Sequence, residues 1–327
     1  MYLESRVIRM ATGEQLKSMI KTHFSGDKEQ FSTVALRIAA HEAKNGHQRI
    51  ARDIRSLVEE YKSQPKKVVR LKREYKGLVE EVSEKHYLSE LIVNNDINNK
   101  INRIVKEYVK REKLLKHGLE NRRKILLKGP PGTGKTYTST VIAQELNLSL
   151  FTVQLDKLVT KYMGETSAKL RIIFDMIKDV EAVFLFDEFD AIGYKRSLDN
   201  DVGEMRRVIN SFLQFLENDK SQSIILAATN HPTLLDDALF RRFDDIISYK
   251  LPTEKEISRL IKNRIASFSK DNFSMNNVVK LAEGLSHSEI TKACDDAIKE
   301  AILDDKKVIS KELLKRMIKE KKSSYKK

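Results

Sequence analysis

Gly129-Pro130-Pro131-Gly132-Thr133-Gly134-Lys135-Thr136 gathers three glycines, a lysine and a hydroxyl within eight positions. That set suits a polyphosphate. Glycines let backbone amides close on an anion with no Cβ in the way. Lys135 supplies a point charge for the outer phosphates, and the Thr136 hydroxyl can ligate Mg²⁺. Tyr137 follows directly and is counted with them as a contact to the bound phosphate compound. Further along, Asp187-Glu188 pairs two carboxylates. Asp187 suits the metal, directly or through water, and Glu188 suits a general base that orients and deprotonates the attacking water. Asn230 offers both a donor and an acceptor, so it can bridge a γ-phosphate and that water. Arg241 and Arg242 set two planar, permanently charged forks side by side, a pairing suited to phosphate. They lie too far along the chain from the loop for local geometry to assign them to the same site.

These residues need a scaffold, and the flanking patterns provide one. Lys124-Ile125-Leu126-Leu127-Lys128 is a short apolar run ahead of the glycine loop, and a helical pattern opens at Lys135. Strand, loop and helix in that order aim a helix dipole at the anion. Val183-Phe184-Leu185-Phe186 and Ile224-Ile225-Leu226-Ala227-Ala228-Thr229 are continuous apolar runs, the pattern of strands buried on both faces of a parallel sheet. Asp187 and Asn230 fall where these strands end, at the edge where such sheets hold ligands. The fold class expected is α/β: a parallel-sheet P-loop ATPase core, a small amino-terminal helical bundle and a carboxy-terminal helical lid. The boundaries read as 1–63 for the bundle, 64–87 for a basic linker, 88–250 for the large ATPase subdomain and 251–327 for the lid.

From about Leu88 to the end the chain resembles the AAA family proper, within the wider AAA+ class. The resemblance rests on the glycine loop, on Phe184-Leu185-Phe186-Asp187-Glu188-Phe189-Asp190, on Ala227-Ala228-Thr229-Asn230 as a polar sensor strand, and on Leu235 to Asp244 as a second region of homology. It implies Mg-dependent hydrolysis of ATP in a ring, usually a hexamer, with nucleotide at each subunit interface. Arg241 and Arg242 would then act as fingers on the neighbouring subunit's nucleotide. It also implies a central pore, for which Tyr162, Met163 and Gly164 are the candidates: an aromatic with an apolar neighbour grips an extended polypeptide at low entropic cost. The plainer reading of Tyr162 and Met163 is core packing. Gly193 to Asp201 has the look of a second, polar channel loop, or of an ordinary solvated one. Many AAA+ relatives carry an arginine where this chain has Ser288 and Glu289; members of the AAA family proper lack it, which agrees with the narrower assignment. Some bacterial ATPases of this appearance are paired with a subtilisin-like protease, so a separate protease is a partner the resemblance suggests.

Composition bounds the rest. The chain has 327 residues, 33% of them charged, a formal net charge of +14, one cysteine and no tryptophan. Cys294 has no partner for an intrachain disulfide, no segment has the length and apolarity of a membrane span, and the amino terminus lacks a hydrophobic signal pattern. A soluble protein of the cytoplasm is expected. Positive charge concentrates at Lys66 to Lys76 and in the tail from Lys319, which permits a nucleic-acid partner; such runs are also ordinary solvated linkers and termini. The first sixty residues pattern as three amphipathic helices. Thr12 with Gln15 and Asp27 with Gln30 make capping boxes, and apolar stripes include Leu16, Met19 and Ile20, then Ile50, Ile54, Leu57 and Val58. In a protein of this family such a bundle recruits a substrate or adaptor. His41 and His47 are six apart, not the four that would place two imidazoles on one helical face, so zinc is disfavoured. Two functions therefore stand side by side. One is ATP-driven remodelling, unfolding or translocation of a protein through an oligomeric ring; the other is a nucleic-acid-associated ATPase switch using the basic linker and tail.

Overall fold

The structure is a computed structural model that describes residues 13–24, 28–45, 47–62, 72–158, 165–190, 202–234, 237–268, 275–306 and 308–324. The chain divides into two compact units, 1–68 and 69–327.

The first unit contains α1 (Gly13–Phe24), α2 (Lys28–Lys44) and α3 (Gln48–Lys62). Its buried apolar residues are Ala35, Ile38, Ala39, Ala51 and Val58, three of them alanines. Leu16, Ile20, Ile50 and Leu57, read from sequence as parts of apolar stripes, are instead exposed. Alanines let helices approach closely, and three short helices have little inner face left for longer side chains. Thr12, Asp27 and the Gln15 side chain, three of the four residues of the expected capping boxes, lie outside the described residues. Glu42 is buried and its Oε2 stands 2.6 Å from His47 Nδ1, while Asn45 bonds His41. The histidines are packing partners. No cluster of three or more metal-ligating side chains occurs among the described residues.

The second unit opens with a 3₁₀ turn at Arg73–Tyr75 and β1 (Val79–Val82). There follow α4 (Asn95–Val109), α5 (Arg111–Leu115), β2 (Lys124–Lys128), α6 (Lys135–Glu145), β3 (Leu150–Val153), α7 (Leu155–Leu158), α8 (Glu165–Asp179), β4 (Val183–Phe186), α9 (Val202–Asn218), β5 (Ile224–Thr229), α10 (Asp237–Phe240) and β6 (Asp245–Ser248). A carboxy-terminal helical region, the segment read from sequence as a lid and called so below, comprises α11 (Glu254–Ile265), α12 (Asn276–Ala282), α13 (His287–Leu303) and α14 (Lys311–Ser323). The six strands form one sheet in the order β1-β3-β4-β5-β2-β6, with only β1 antiparallel to its neighbour. The α/β class, with a mostly parallel sheet and helical regions, is as the apolar runs implied.

Alternation within each strand feeds two cores. Leu126, Phe184, Phe186 and Ile225 join Phe174, Ile177 and Phe212 from α8 and α9 on one face. Ile125, Leu127, Leu185 and Leu226 join Ile101, Ile104 and Ile142 from α4 and α6 on the other. Burial on both faces explains why these strands carry almost no polar residues. The lid has its own core, in which Ile257, Ile261, Cys294 and Leu314 are fully buried. Two of its helices start with capping boxes, Thr253 with Glu256 and Ser286 with Glu289.

The segment read as linker needs correction. Residues 79–82 pair with β3 as the sheet's edge strand, and Tyr75, Leu78 and Val79 are buried in a core of the sheet. Lys72, part of the basic run, bonds Asp179 at 2.7 Å, and Tyr75 Oη donates to the same carboxylate. An edge strand of four residues with two exposed glutamates carries too little apolar pattern to be seen in a charged stretch. No helix among the described residues is long and apolar enough to cross a membrane.

Candidate active site

Three chain segments meet at the carboxyl edge of the sheet because β5 lies between β2 and β4. The loop after β2 therefore has the end of β5 beside it, and Asp187 at the end of β4 lies just beyond. Gly129 N–H donates to the Thr229 carbonyl at 3.2 Å, and Phe189 N–H donates to Ala228 at 2.8 Å, so strand pairing continues into both loops.

The glycines of the loop are needed for different reasons. Gly129 has φ 149°, and a Cβ there would lie 2.5 Å from the Tyr249 carbonyl oxygen and 2.8 Å from Tyr249 Cβ. Tyr249 cannot retreat. It is buried, its hydroxyl donates to Thr138 Oγ1 at 2.7 Å, and burial pushes its phenol far above the usual range. Gly132 has φ 70°, and a Cβ there would meet Ser286 Oγ at 2.6 Å, which brings the lid against the loop. Ser288 N–H donates to the Gly132 carbonyl at 2.9 Å.

Lys135 is buried at the start of α6. Its ammonium donates to the carbonyls of Gly129 and Pro130, both at 2.8 Å, and to Asn230 Oδ1 at 2.7 Å. Burial lowers its pKa, with Asp187 and Asp190 opposing. A desolvated ammonium facing neutral oxygens gains strongly from a nearby polyanion. Thr136 Oγ1 donates to Asp187 Oδ2 at 2.6 Å, and Glu188 N–H to Asp187 Oδ1 at 2.8 Å. A hydroxyl and a carboxylate so close are a fitting pair of oxygen ligands for magnesium. Glu188 is exposed and adopts φ 49°. For a residue with a Cβ this left-handed conformation costs about 1–2 kcal/mol, and such strain gathers at sites where a side chain must be aimed.

The site thus brings together Lys135, Thr136, Asp187 and Asn230 through direct hydrogen bonds, with Glu188 next in the chain. Tyr137 lies beside them, but its ring stacks on His86 at 4.2 Å between centroids and its hydroxyl approaches Glu90. Arg241 and Arg242 are not brought in. Arg242 Nη1 donates to Glu217 Oε2 at 2.7 Å, whereas Arg241 is exposed and makes no ion pair among the described residues. Tyr162, Met163 and Gly164, together with Gly193 to Asp201, lie outside the described residues.

Sequence reasoning assigned no role to Asp190, which is buried and accepts the backbone N–H of Asn230 at 3.1 Å. Its place in the acidic strand end was the available signal. Tyr249, which fixes Gly129, had none.

The family profile described as "ATPase family associated with various cellular activities (AAA)" matches residues 125–251. An uncharacterized AAA family ATPase of Sinorhizobium fredii (strain NBRC 101917 / NGR234) is 33% identical over 307 residues, covering 92% of each chain. A proteasome-activating nucleotidase of Methanococcus maripaludis (strain C7) is 32% identical over 257 residues, 75% of this chain and 63% of the relative. A putative 26S proteasome regulatory subunit homolog of Methanocaldococcus jannaschii is 32% identical over 231 residues, 68% of this chain and 61% of the relative. The chain therefore spans less than two thirds of the length of those last two relatives.

Proposed function

The chain belongs to the AAA family of ATPases, and from that premise we propose that it hydrolyses ATP to remodel, unfold or translocate a protein through an oligomeric ring. The observation that carries the hydrolytic part is the hydrogen-bonded set Lys135–Asn230 and Thr136–Asp187 beside the glycine loop. Lys135 and the loop amides hold the phosphates. Thr136 and Asp187 would hold Mg²⁺, which when bound neutralises phosphate charge. Glu188 takes the proton of the attacking water, and Asn230, fixed through Asp190, orients that water. Arg241, without an ion pair among the described residues, reaches the nucleotide of a neighbour.

The protein-substrate part draws support from relatives whose printed names tie them to proteasomes. Tyr162, with Met163 and Gly164, would grip the polypeptide in a six-membered ring, the amino-terminal unit would recruit substrate or adaptor, and a separate protease could receive the product. The nucleic-acid reading rests on charge alone. The two are separated by assaying ATP-dependent unfolding of a folded reporter protein. Tyr162→Ala is expected to abolish unfolding and spare ATP binding, while neutralising Lys66, Lys67, Arg70, Lys72, Arg73 and Lys76 leaves it intact. ATPase activity stimulated by DNA or RNA through those basic residues, with Tyr162 dispensable, would overturn the protein-substrate reading.

A further inference from the structure

A cleft of about 350 Å³ lies between the core and the lid and shares no lining residue with the set at the sheet edge. Its volume falls in the range of pockets that hold ligands. Leu88, Leu91 and Val93 give it an apolar wall, and all three pack on the core. Helix α4 contributes Asn95, Asn98 and Asn102. Residues at i, i+3 and i+7 share one face of a helix, and the rise along the axis makes the row about 10 Å long. The lid contributes Arg259 from α11, and no other lining residue is charged.

Much of this hydrogen-bonding capacity is unused. Asn102 Nδ2 donates to the Asn98 carbonyl at 2.9 Å and to Asn98 Oδ1 at 3.2 Å. The Asn95 carboxamide, the Asn98 Nδ2 group and the Arg259 guanidinium have no hydrogen-bond or ion-pair partner among the described residues. A carboxamide both donates and accepts, which matches the alternating N–H and C=O of an extended peptide. Such a chain advances about 3.3 Å per residue, so the asparagine row spans about three residues of it. An unpaired guanidinium calls for a carboxylate, which it binds through parallel hydrogen bonds. The apolar wall takes a neighbouring side chain. Nucleic acid is a poorer fit, because it needs several cations along its phosphates and aromatic faces under its bases. The cleft offers one cation and no aromatic ring.

We propose that this cleft docks an extended acidic peptide segment of a partner protein. The carboxylate lies on Arg259, the peptide backbone along the asparagine row, and an apolar neighbour against Leu88, Leu91 and Val93. The site is separate from the nucleotide loop and from the amino-terminal helical unit. A segment held there touches both α4 and α11, so it ties the lid to the core.

The test is differential selection of short random peptides displayed on phage, with the full chain immobilised. The library is depleted on Arg259→Glu and then selected on the wild type, and the reverse order is run in parallel. Sequences with Asp or Glu beside apolar residues are expected from the first order, and sequences with Lys or Arg from the second. A selected acidic peptide, synthesised with a fluorophore, is expected to bind Arg259→Glu about tenfold or more weakly, the loss of one charged hydrogen bond. Asn95→Ala combined with Asn98→Ala is expected to weaken it without changing the charge preference, and thermal unfolding checks that both variants fold. A first-order selection that yields no sequence, or sequences without a carboxylate, would overturn the proposal. Equal affinity for the wild type and the asparagine variant would also overturn it. An oligothymidylate that binds the wild type but not Arg259→Glu, with no peptide recovered, would assign the cleft to nucleic acid instead.

Discussion

The carboxyl edge of the sheet and the amino-terminal helical unit meet opposite demands. At the sheet edge several functional positions are held by buried groups: the Gly129 backbone by Tyr249, the Asn230 backbone by Asp190, and the Lys135 ammonium by the loop carbonyls. In the helical unit the buried face is small, and Leu16, Ile20, Ile50 and Leu57 remain on the outside. The first region is built so that geometry decides the chemistry. The second has apolar surface on the outside, as a recruiting element would, and its internal packing says little about which partner it takes. Sensitivity to substitution should therefore differ sharply between them.

The largest effect is expected from the arginines. Supplied to a neighbour's nucleotide, a finger of this kind contributes on the order of 10³–10⁵ in turnover. Arg241→Ala should lose most of that, and Arg242→Ala less, because Arg242 is already engaged by Glu217. Steady-state ATPase assays of each variant, then of Arg241→Ala mixed with Glu188→Gln, check both points. Mixing should restore activity at interfaces that combine an intact arginine with an intact carboxylate. No rescue, with activity independent of protein concentration, would mean that the arginines act within their own subunit.

An intermediate effect is expected at Gly129. Adding a methyl group there forces a left-handed backbone onto alanine and drives it into the Tyr249 backbone, a combined cost of about 3 kcal/mol. Gly134 also has positive φ, at 98°, but a Cβ there meets nothing within 4 Å. Gly134→Ala should then cost only the conformational part, about 1–2 kcal/mol. Denaturant midpoints for the two variants compare them directly. Equal losses would show that close approach to Tyr249 contributes nothing.

The smallest effect is expected in the helical unit. Leu57→Ser should change stability by no more than about 0.5 kcal/mol, as for surface sites generally. Removing residues 1–68 should leave basal ATP turnover within about twofold, since that segment is a compact unit by itself. A truncated chain that cannot bind ATP would erase the contrast between the regions.

The same contrast governs what could be read in advance. Lys135, Thr136, Asp187, Glu188 and Asn230 follow short, dense motifs behind continuous apolar runs, and two-sided burial writes such strands plainly in the sequence. Edge strand β1 was hidden because it is only four residues long and two of them, Glu80 and Glu81, are exposed and charged. The burial of α1 and α3 was overread because periodicity shows which residues share a face, not whether anything covers it. Tyr249 acts through contacts distant in the chain, and no local spacing announces those; Asp190 had only its place in the acidic strand end as a signal.

The central claim is that the set at the sheet edge is a hydrolytic site with Glu188 as its base. It is tested most directly by measuring ATP affinity and single-turnover hydrolysis of Glu188→Gln beside the wild type. Glu188→Gln should bind ATP with near wild-type affinity and cleave it more slowly by about 10²–10⁴; cleavage at the wild-type rate would contradict the role of Glu188 as base.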